Sequence, residues 1–277
     1  MTDATVADHR SPILQLAIET TGRCGSIAIL EDQTVLETIN LPETARTAAS
    51  LAVHLDQILQ KHRDGTQPIQ LVSVADGPGS FTGLRIGVTT AKSLCYALKI
   101  PLVSVDSLAA IAAAAFHQNP SSMSLCIALD AYRKQVFAGQ FRRRELLSTP
   151  DQLHPTWTPH PPQVKVLSAQ DWQSFVDQIS NPESNAPDHK ISAAEPTPQN
   201  TGFQSSTSPN LPTDRWQAAG DPKPFSETNL PILERQCDAV GVGLLAWRAF
   251  RIGKTTDPIA LLPRYLKPSA AEEKANA

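Results

Sequence analysis

The sequence contains few cysteines, no marked excess of charge of one sign and no long apolar run. Its four cysteines form no Cys-x-x-Cys pair, which fits neither a disulfide framework nor a zinc knuckle, so we expect buried thiols. The 24 basic and 27 acidic side chains give a slightly negative net charge, which excludes a polybasic protein that coats nucleic acid. A local RNA-binding patch is still compatible with this net charge. No stretch approaches the roughly 20 apolar residues of a membrane span. Because the first twelve residues also lack a basic and apolar leader, we expect a cytoplasmic protein with no membrane contact.

The chain length and the position of its prolines predict two domains with an insertion. A length of 277 residues is compatible with two domains of about 150 residues each. Fourteen of the 23 prolines lie between positions 150 and 231, and residues 181–229 are rich in Pro, Ser, Thr, Asn and Gln. Such a composition cannot bury enough apolar surface to offset its ordering entropy, so it predicts a flexible insertion, in which a short ordered piece could lie near Trp216. We expect a flexible terminus at 1–11, a first lobe at 12–119, and a second, abbreviated lobe at 120–277 interrupted by residues 181–229.

Apolar periodicity in the N-terminal half predicts a specific order of elements. Five strands are predicted, at 13–18, 26–30, 34–39, 71–75 and 102–105. Three helices are predicted: the first begins at about 44–47, the second follows a glycine-rich turn at 77–83, and the third spans 107–117. The order βββαβαβα is that of a ribonuclease H-like core, in which parallel strands and their crossover helices extend an antiparallel meander. Predicted strands at 124–129, 135–141 and 145–148 indicate a related second lobe, and a last helix is predicted at 234–251.

Four of the 13 glycines lie within eleven residues, in the string GPGSFTGLRIG at 77–87. Glycines between a strand and a helix permit a sharp turn and leave N–H groups that could hold an anion. The Walker A pattern is absent, and the spacing GxGxxxG differs from the dinucleotide fingerprint GxGxxG. A dinucleotide-binding protein that uses Gly77 to Gly83 is still an alternative, because Asp106 ends the next predicted strand where a ribose-binding acid would lie. Three preceding strands and the missing N–H of Pro78 argue against it.

A stripe of small residues follows the turn. Gly83 and Gly87 share nearly one helix face with Thr90 and Leu94, although each glycine costs about 1 kcal/mol of helix propensity relative to alanine. Close packing should compensate that cost, either on the protein's own sheet or against a partner helix, and the pattern does not distinguish the two. Basic residues recur every seven positions beside this stripe, as on a solvated face or a surface for an acidic partner or RNA, at Arg85, Lys92 and Lys99.

The chain resembles the TsaB (YeaZ) family in four strings: LAIETTGRCGSIAIL, VADGPGSFTGLRIGVTTAKSLCYALKIPLVSVDSLAAIA, ALDAYRKQVFAGQF and PRYLKPSAAEEK. The resemblance implies an α/β fold of the actin, sugar-kinase and Hsp70 superfold with two ribonuclease H-like lobes. It also implies a noncatalytic subunit that pairs with a catalytic TsaD-like subunit and a TsaE-like ATPase to install N6-threonylcarbamoyladenosine at position 37 of tRNA. No cofactor is then expected on this chain, whereas ATP and a metal are expected on the partner subunits. The isolated chain could form a homodimer and would meet tRNA through the complex.

The same resemblance implies a partner interface on the glycine-rich turn and the following helix. Its expected residues are Gly77, Gly79, Ser80, Phe81, Thr82, Gly83, Arg85, Gly87, Thr90 and Leu94. A vestigial nucleotide or metal site is expected at Glu19, Thr20, Asp76 and Asp106. The sequence departs from the family pattern at Tyr132, which separates Asp130-Ala131 from Arg133, and at residues 43–47, where a histidine common in relatives is lost.

The carboxylates at predicted strand ends also support a different enzyme class. A ribonuclease H-like core can hold two divalent cations between such groups, so a metal-dependent nuclease is the second functional hypothesis. Acids at strand ends more often cap the following turn or helix, however. The seven histidines form no HxxxH pair and GxSxG is absent, so we expect no intrinsic catalysis. The tract Arg142-Arg143-Arg144 could contact tRNA phosphate or protect an exposed strand edge.

Overall fold

The first lobe is a five-stranded sheet flanked by helices. The computed structural model describes residues 11–22, 24–42, 47–63, 68–180, 215–234 and 238–267. The strands lie in the order β3-β2-β1-β4-β5, with β1 at Leu14–Glu19, β2 at Ser26–Glu31, β3 at Thr34–Asn40, β4 at Leu71–Gly77 and β5 at Leu102–Asp106. Strands β4 and β5 run parallel to β1, whereas β2 and β3 form the antiparallel meander. With helices α1 (Thr47–Arg63), α2 (Phe81–Leu98) and α3 (Ser107–Gln118), the predicted order βββαβαβα is confirmed.

The second lobe repeats the topology of the first sheet, with a shorter connection between its last two strands in sequence. Its sheet has the order β10-β9-β6-β7-β8, with β6 at Ser124–Asp130, β7 at Gln135–Arg142, β8 at Lys165–Ser168, β9 at Trp216–Gly220 and β10 at Ile232–Glu234. The helices are α4 (Arg143–Leu146), α5 (Ala169–Ser180) and α6 (Ala239–Arg251). A single 3-10 turn at Lys223–Phe225 lies between β9 and β10, where the first lobe has α2. Two related lobes, the second abbreviated, confirm the predicted α/β fold class.

The helices and sheets alternate in layers. Apolar residues of α1 and α2 pack on one face of the first sheet, and α5 packs on the outer face of the second. Helices α3 and α6 lie between the two sheets and share one core with both. The run Leu108 to Phe116 of α3 is buried on every side. Most of its residues are alanines, whose small side chains let α6 approach closely.

Several predicted boundaries are wrong. Strand β9 lies within the predicted insertion at 181–229 and pairs with the central strand β6, because the apolar residues Ala218 and Ala219 complete the second sheet. Residues 181–214 lie outside the described residues. Helix α6 was expected in the second lobe but packs on β1, β2, β4 and β5 of the first. Residues 145–148, predicted as a strand, begin within α4, and α6 starts at Ala239 with Asp238 as its N-cap.

Two of the cysteines are buried thiols, as expected. Burial raises the pKa of Cys95 to about 12 and raises that of Cys126 further, which leaves both thiols protonated and unreactive. Cys24 is half-buried, and Cys237 lies outside the described residues. Over the ranges given above, each helix is too short or too polar to cross a bilayer.

Candidate functional site

The carboxyl ends of three parallel strands bring the predicted acidic residues to one edge of the first sheet. Glu19 ends β1, Asp76 lies at the end of β4 and Asp106 ends β5. Since β1, β4 and β5 are neighbours in this sheet and parallel, their carboxyl ends lie at the same edge. All three side chains are buried. The structure therefore brings three of the four residues of the predicted vestigial site to one edge.

Glu19 organises the turn between β1 and β2. Its carboxylate accepts two hydrogen bonds from Thr21, one from the backbone N–H and one from the hydroxyl at 2.5 Å. It accepts a third from the backbone N–H of Gly22 at 3.3 Å. A carboxylate that satisfies two backbone donors and a hydroxyl caps the turn, as acids at strand ends commonly do.

Asp76 and Asp106 share a basic partner from the C-terminal segment. The guanidinium of Arg264 donates a hydrogen bond to Asp106 and another to the carbonyl oxygen of Gly77 at 2.8 Å, while its Nε lies 3.9 Å from Asp76. The backbone N–H of Arg264 donates to the carbonyl oxygen of Asp76 at 2.7 Å. His160 Nε2 lies 2.8 Å from the Asp76 carboxylate. These contacts tie the chain end to the strand ends.

Asp106 also caps α3. Its Oδ1 accepts a hydrogen bond from the N–H of Ala109 at 2.8 Å, so Asp106 is the N-cap residue. Complete burial raises the pKa of Asp106 to about 6, although Arg264, the Ala109 N–H and His160 act in the opposite direction. Desolvation therefore outweighs the ion pair at this position.

The contacts of Arg264 take the place of a cation in the predicted vestigial nucleotide or metal site. Over the described ranges, no group of three or more His, Cys, Asp or Glu side chains could hold a metal ion. The Arg264 guanidinium lies beside both Asp76 and Asp106, where a cation would have to bind. Sequence reasoning missed the contacts of His160 and Arg264 with these acids, because both residues lie far from them in the sequence and at no regular spacing.

The glycine-rich turn packs on the protein's own backbone. A Cβ on Gly79 would lie 2.7 Å from the carbonyl oxygen of Thr21, and one on Gly83 would lie 1.8 Å from that of Thr20. The N–H of Ser80 donates to the Thr21 carbonyl oxygen at 2.9 Å, and the Ser80 hydroxyl caps α2 through the N–H of Gly83. The glycines are needed because residues 20 and 21 approach so closely, which leaves no room there for a pyrophosphate.

The small-residue stripe of α2 also faces inward. Gly83 and Gly87 are buried, and a Cβ on Gly87 would lie 2.3 Å from the hydroxyl oxygen of Thr20. Of the ten predicted interface residues, Gly77, Gly83 and Gly87 are buried, and Gly79, Thr90 and Leu94 are partly buried. The prediction that Gly83 and Gly87 form a surface for a partner is therefore wrong, because Thr20, which follows β1, already occupies that space.

The exposed face of α2 carries aromatic residues and the C-terminal segment. Phe81 stacks on Tyr265 with ring centroids 4.7 Å apart. Arg85 lies 4.1 Å above the Phe81 ring and donates a hydrogen bond to the Tyr265 hydroxyl at 3.0 Å. Lys92 donates to the carbonyl oxygens of Ile259 and Leu261, at 3.3 and 2.9 Å. Two members of the basic row thus hold the chain end, whereas Lys99 ends α2 in the left-handed region at φ 55°.

This face forms a patch of large exposed side chains, called the α2 patch below. Tyr96 is 87% exposed, Ile259 88% and Leu262 73%. The patch consists of Phe81, Arg85, Tyr96, Ile259, Leu262 and Tyr265. Residues 259–265 complete it from a distant part of the sequence, which is why only the helical half was predictable.

The arginine tract divides between two roles. Arg143 turns inward, where it donates hydrogen bonds to the carbonyl oxygens of Phe116, of Asn119 at 2.7 Å and of Ser122 at 2.8 Å. It therefore neutralises the carbonyl end of α3, and the expectation of three exposed arginines is wrong for this residue. Arg142 and Arg144 line a surface cavity with Glu145.

Comparisons with known proteins agree with the resemblance. A family model described as TsaD, tRNA N6-adenosine threonylcarbamoyltransferase, matches residues 41–152. The protein named tRNA threonylcarbamoyladenosine biosynthesis protein TsaB from Bacillus subtilis (strain 168) is 38% identical over 129 residues, which is 46% of this chain and 54% of the relative. The TsaB of Escherichia coli (strain K12) is 32% identical over 130 residues, 47% of this chain and 55% of the relative. The chain thus spans about half the length of these curated relatives.

Solved structures support the fold over nearly the whole chain. A crystal structure of an uncharacterized protein with similarity to peptidase YeaZ, from Pseudomonas aeruginosa, has a TM-score of 0.62 at 21% identity. A structure of YeaZ from the same organism has a TM-score of 0.58 at 18% identity. Each comparison covers 92% of this chain and all of the solved one. They show that the chain has the two-lobed fold of these YeaZ structures, and the curated relatives show that about half of the chain is similar in sequence to TsaB proteins.

Proposed function

We propose that this chain acts in the biosynthesis of N6-threonylcarbamoyladenosine at position 37 of tRNA, as a noncatalytic subunit that pairs with a catalytic TsaD-like protein. Its TsaB relatives are named for this pathway, and the match to a TsaD family model indicates a common ancestry with the proposed partner. The observation that carries the pairing is the α2 patch.

The α2 patch has the composition of a protein interface. Tyrosine, phenylalanine and arginine are enriched at interfaces, and contiguous exposed apolar side chains often mark such a site. The stack of Tyr265 on Phe81 and the hydrogen bond from Arg85 fix part of the patch before a partner arrives. A surface that is already ordered loses less side-chain entropy on binding.

The strand-end carboxylates support a role without intrinsic catalysis. Asp76 and Asp106 are buried and contact Arg264, and Glu19 caps the turn after β1. A nuclease would need carboxylates open to divalent cations. The dinucleotide alternative would need N–H groups open to a pyrophosphate, but the Gly77 to Gly83 turn packs on Thr20 and Thr21.

The pairing can be tested by co-purification of this chain with the TsaD-like protein of its own organism. Tyr96→Ala should weaken complex formation by about tenfold, because a buried interface tyrosine commonly contributes more than 1 kcal/mol. Tyr132→Ala is the matched control, since Tyr132 is 76% exposed on the β6–β7 turn outside the patch. Equal affinities of both variants and the parent would contradict the proposed surface, and no complex with the parent would contradict the pairing.

The proposal extends to the other components of the pathway. We expect a TsaE-like ATPase and tRNA to join through the complex, with ATP and a metal held by the partner subunits. In the absence of its partner, the chain should use the same patch to form a homodimer. Sedimentation of the parent and of Tyr96→Ala over a range of concentrations measures that dimer, which the substitution should weaken.

A further inference from the structure

The second lobe contains a cavity that the proposed function does not use. It has a volume of about 530 Å³ and lies between the end of β7, α4 and the loop that leads to β8. This volume is in the range of sites for small organic ligands, and it exceeds the space that a single ion needs. Its polar lining includes Arg142, Arg144, Glu145 and His154.

The charged lining favours an anion. Two arginines and one glutamate line the cavity, and Arg142 Nη1 lies 3.9 Å from Glu145 Oε1. That separation is longer than a hydrogen bond, and both side chains are partly exposed, so the pair is weak. Arg144 is exposed, so its guanidinium is accessible to a ligand. The local charge is therefore positive although the chain as a whole is slightly acidic.

His154 adds a further hydrogen-bond donor. Nδ1 of His154 lies 2.7 Å from the Thr156 hydroxyl oxygen and accepts a hydrogen bond from the Thr156 N–H at 3.2 Å. With Nδ1 as the acceptor of the backbone hydrogen bond, a neutral imidazole has its proton on Nε2. His154 lines the same cavity as the two arginines, so its Nε2–H is a candidate donor to a ligand there.

We propose that this cavity binds a nucleoside phosphate, with the phosphate on Arg142, Arg144 and the Nε2–H of His154. The planar guanidinium presents paired donors that match phosphate oxygens. The remaining walls include Leu153, Pro161 and Pro162, which offer apolar surface to a base. Either a free nucleotide or one nucleotide of an RNA strand has this chemistry. The inference rests on the cavity alone and does not depend on the proposed pairing.

Titration calorimetry of the full chain tests the site with adenosine 5′-monophosphate, adenosine and inorganic phosphate as probes. The monophosphate should bind at least tenfold more tightly than either fragment, because only it contacts both the basic and the apolar lining. The double substitution Arg142→Gln and Arg144→Gln should weaken its binding about tenfold or more, as loss of charge-assisted hydrogen bonds does. Glu145→Gln should strengthen binding severalfold, because it removes the one opposing charge.

Arg133→Gln is the matched control, because Arg133 is exposed at the opposite end of the β6–β7 hairpin and should leave affinity unchanged. Circular dichroism checks that each variant folds. If the double variant does not fold, the single substitution Arg144→Gln replaces it. A single-stranded oligoadenylate distinguishes a free nucleotide from a nucleotide of an RNA strand. If the oligomer binds more tightly than the monophosphate at low salt, and the arginine variant loses this binding, the site is assigned to RNA. Absence of binding by the monophosphate and the oligomer, or binding that the arginine substitutions leave unchanged, would overturn the proposal.

Discussion

The side-chain hydroxyl of Thr20 donates a hydrogen bond to the carbonyl oxygen of Gly83 across 2.7 Å. Thr20 directly follows β1 and Gly83 lies in the first turn of α2, so this bond joins two elements that are 63 residues apart. A Cβ on Gly83 would meet the Thr20 carbonyl oxygen, and one on Gly87 would meet the Thr20 hydroxyl. Gly83 and Gly87 of α2 are therefore needed for close packing against Thr20 of the same chain.

We expect Gly83→Ala to lower the free energy of unfolding by about 1 to 3 kcal/mol, as overpacking of a buried site does. The gain in helix propensity, about 1 kcal/mol, is too small to compensate for a clash with rigid backbone. Gly87→Ala should cost less, because the Thr20 hydroxyl can rotate away. Urea denaturation of the three proteins measures both changes, and a Gly83→Ala variant as stable as the parent would disprove the close contact.

The titration of Asp106 should make stability depend on pH. Its folded-state pKa of about 6 lies above its ordinary value of 3.8, so the folded protein binds this proton more tightly than the unfolded chain does. The stability that the protonated side chain contributes is therefore present below about pH 4 and lost as the pH rises through about 6. Asp106→Asn keeps an oxygen for the Ala109 N–H and removes this titration.

Parent and Asp106→Asn should accordingly differ in the slope of the free energy of unfolding against pH. Between pH 4 and 6 the parent should lose about 2 kcal/mol more than the variant does, since one pKa unit corresponds to about 1.4 kcal/mol. Guanidinium denaturation at half-unit pH intervals provides the comparison. Parallel curves for the two proteins would show that Asp106 is not the titrating group.

Two adjacent arginines should differ sharply in their effect on stability. Arg143→Ala removes three hydrogen bonds at the carbonyl end of α3 and should cost about 2 kcal/mol or more. Arg144→Ala is the matched control, because its exposed side chain should contribute less than about 0.5 kcal/mol. Thermal unfolding followed by circular dichroism compares the two, and equal melting temperatures would contradict the inward orientation of Arg143.

Deletions should locate the dispensable part of the proline-rich region. Removal of residues 184–209 should leave the melting temperature and complex formation nearly unchanged, because the composition of this segment cannot support a core. Removal of residues 184–220 also deletes β9, which pairs with both β6 and β10, and should abolish soluble expression. Insoluble protein from the shorter deletion would show that residues 184–209 contribute to folding.

Much of the fold could be predicted because its signals are local. The amphipathic pattern of α1 and the apolar strands of the first sheet depend on neighbouring residues. The sequence allowed an ordered piece near Trp216 but did not identify it as β9, because a short strand flanked by proline-rich sequence has little local pattern, and its pairing with β6 across about 90 residues stabilises it. The start of α6 was misplaced because β10 precedes it directly.

The sequence by itself determined the two-lobed α/β fold, the strand ends that carry Glu19, Asp76 and Asp106, and the glycine-rich turn, since elements and their order along the chain follow from periodicity and local composition. Only the tertiary structure decided which way these residues face. It placed Thr20 against the α2 glycines, Arg264 beside two carboxylates and Tyr265 on Phe81. Each contact joins residues more than 60 positions apart, and no local propensity encodes a contact between distant segments that forms only when the whole core assembles.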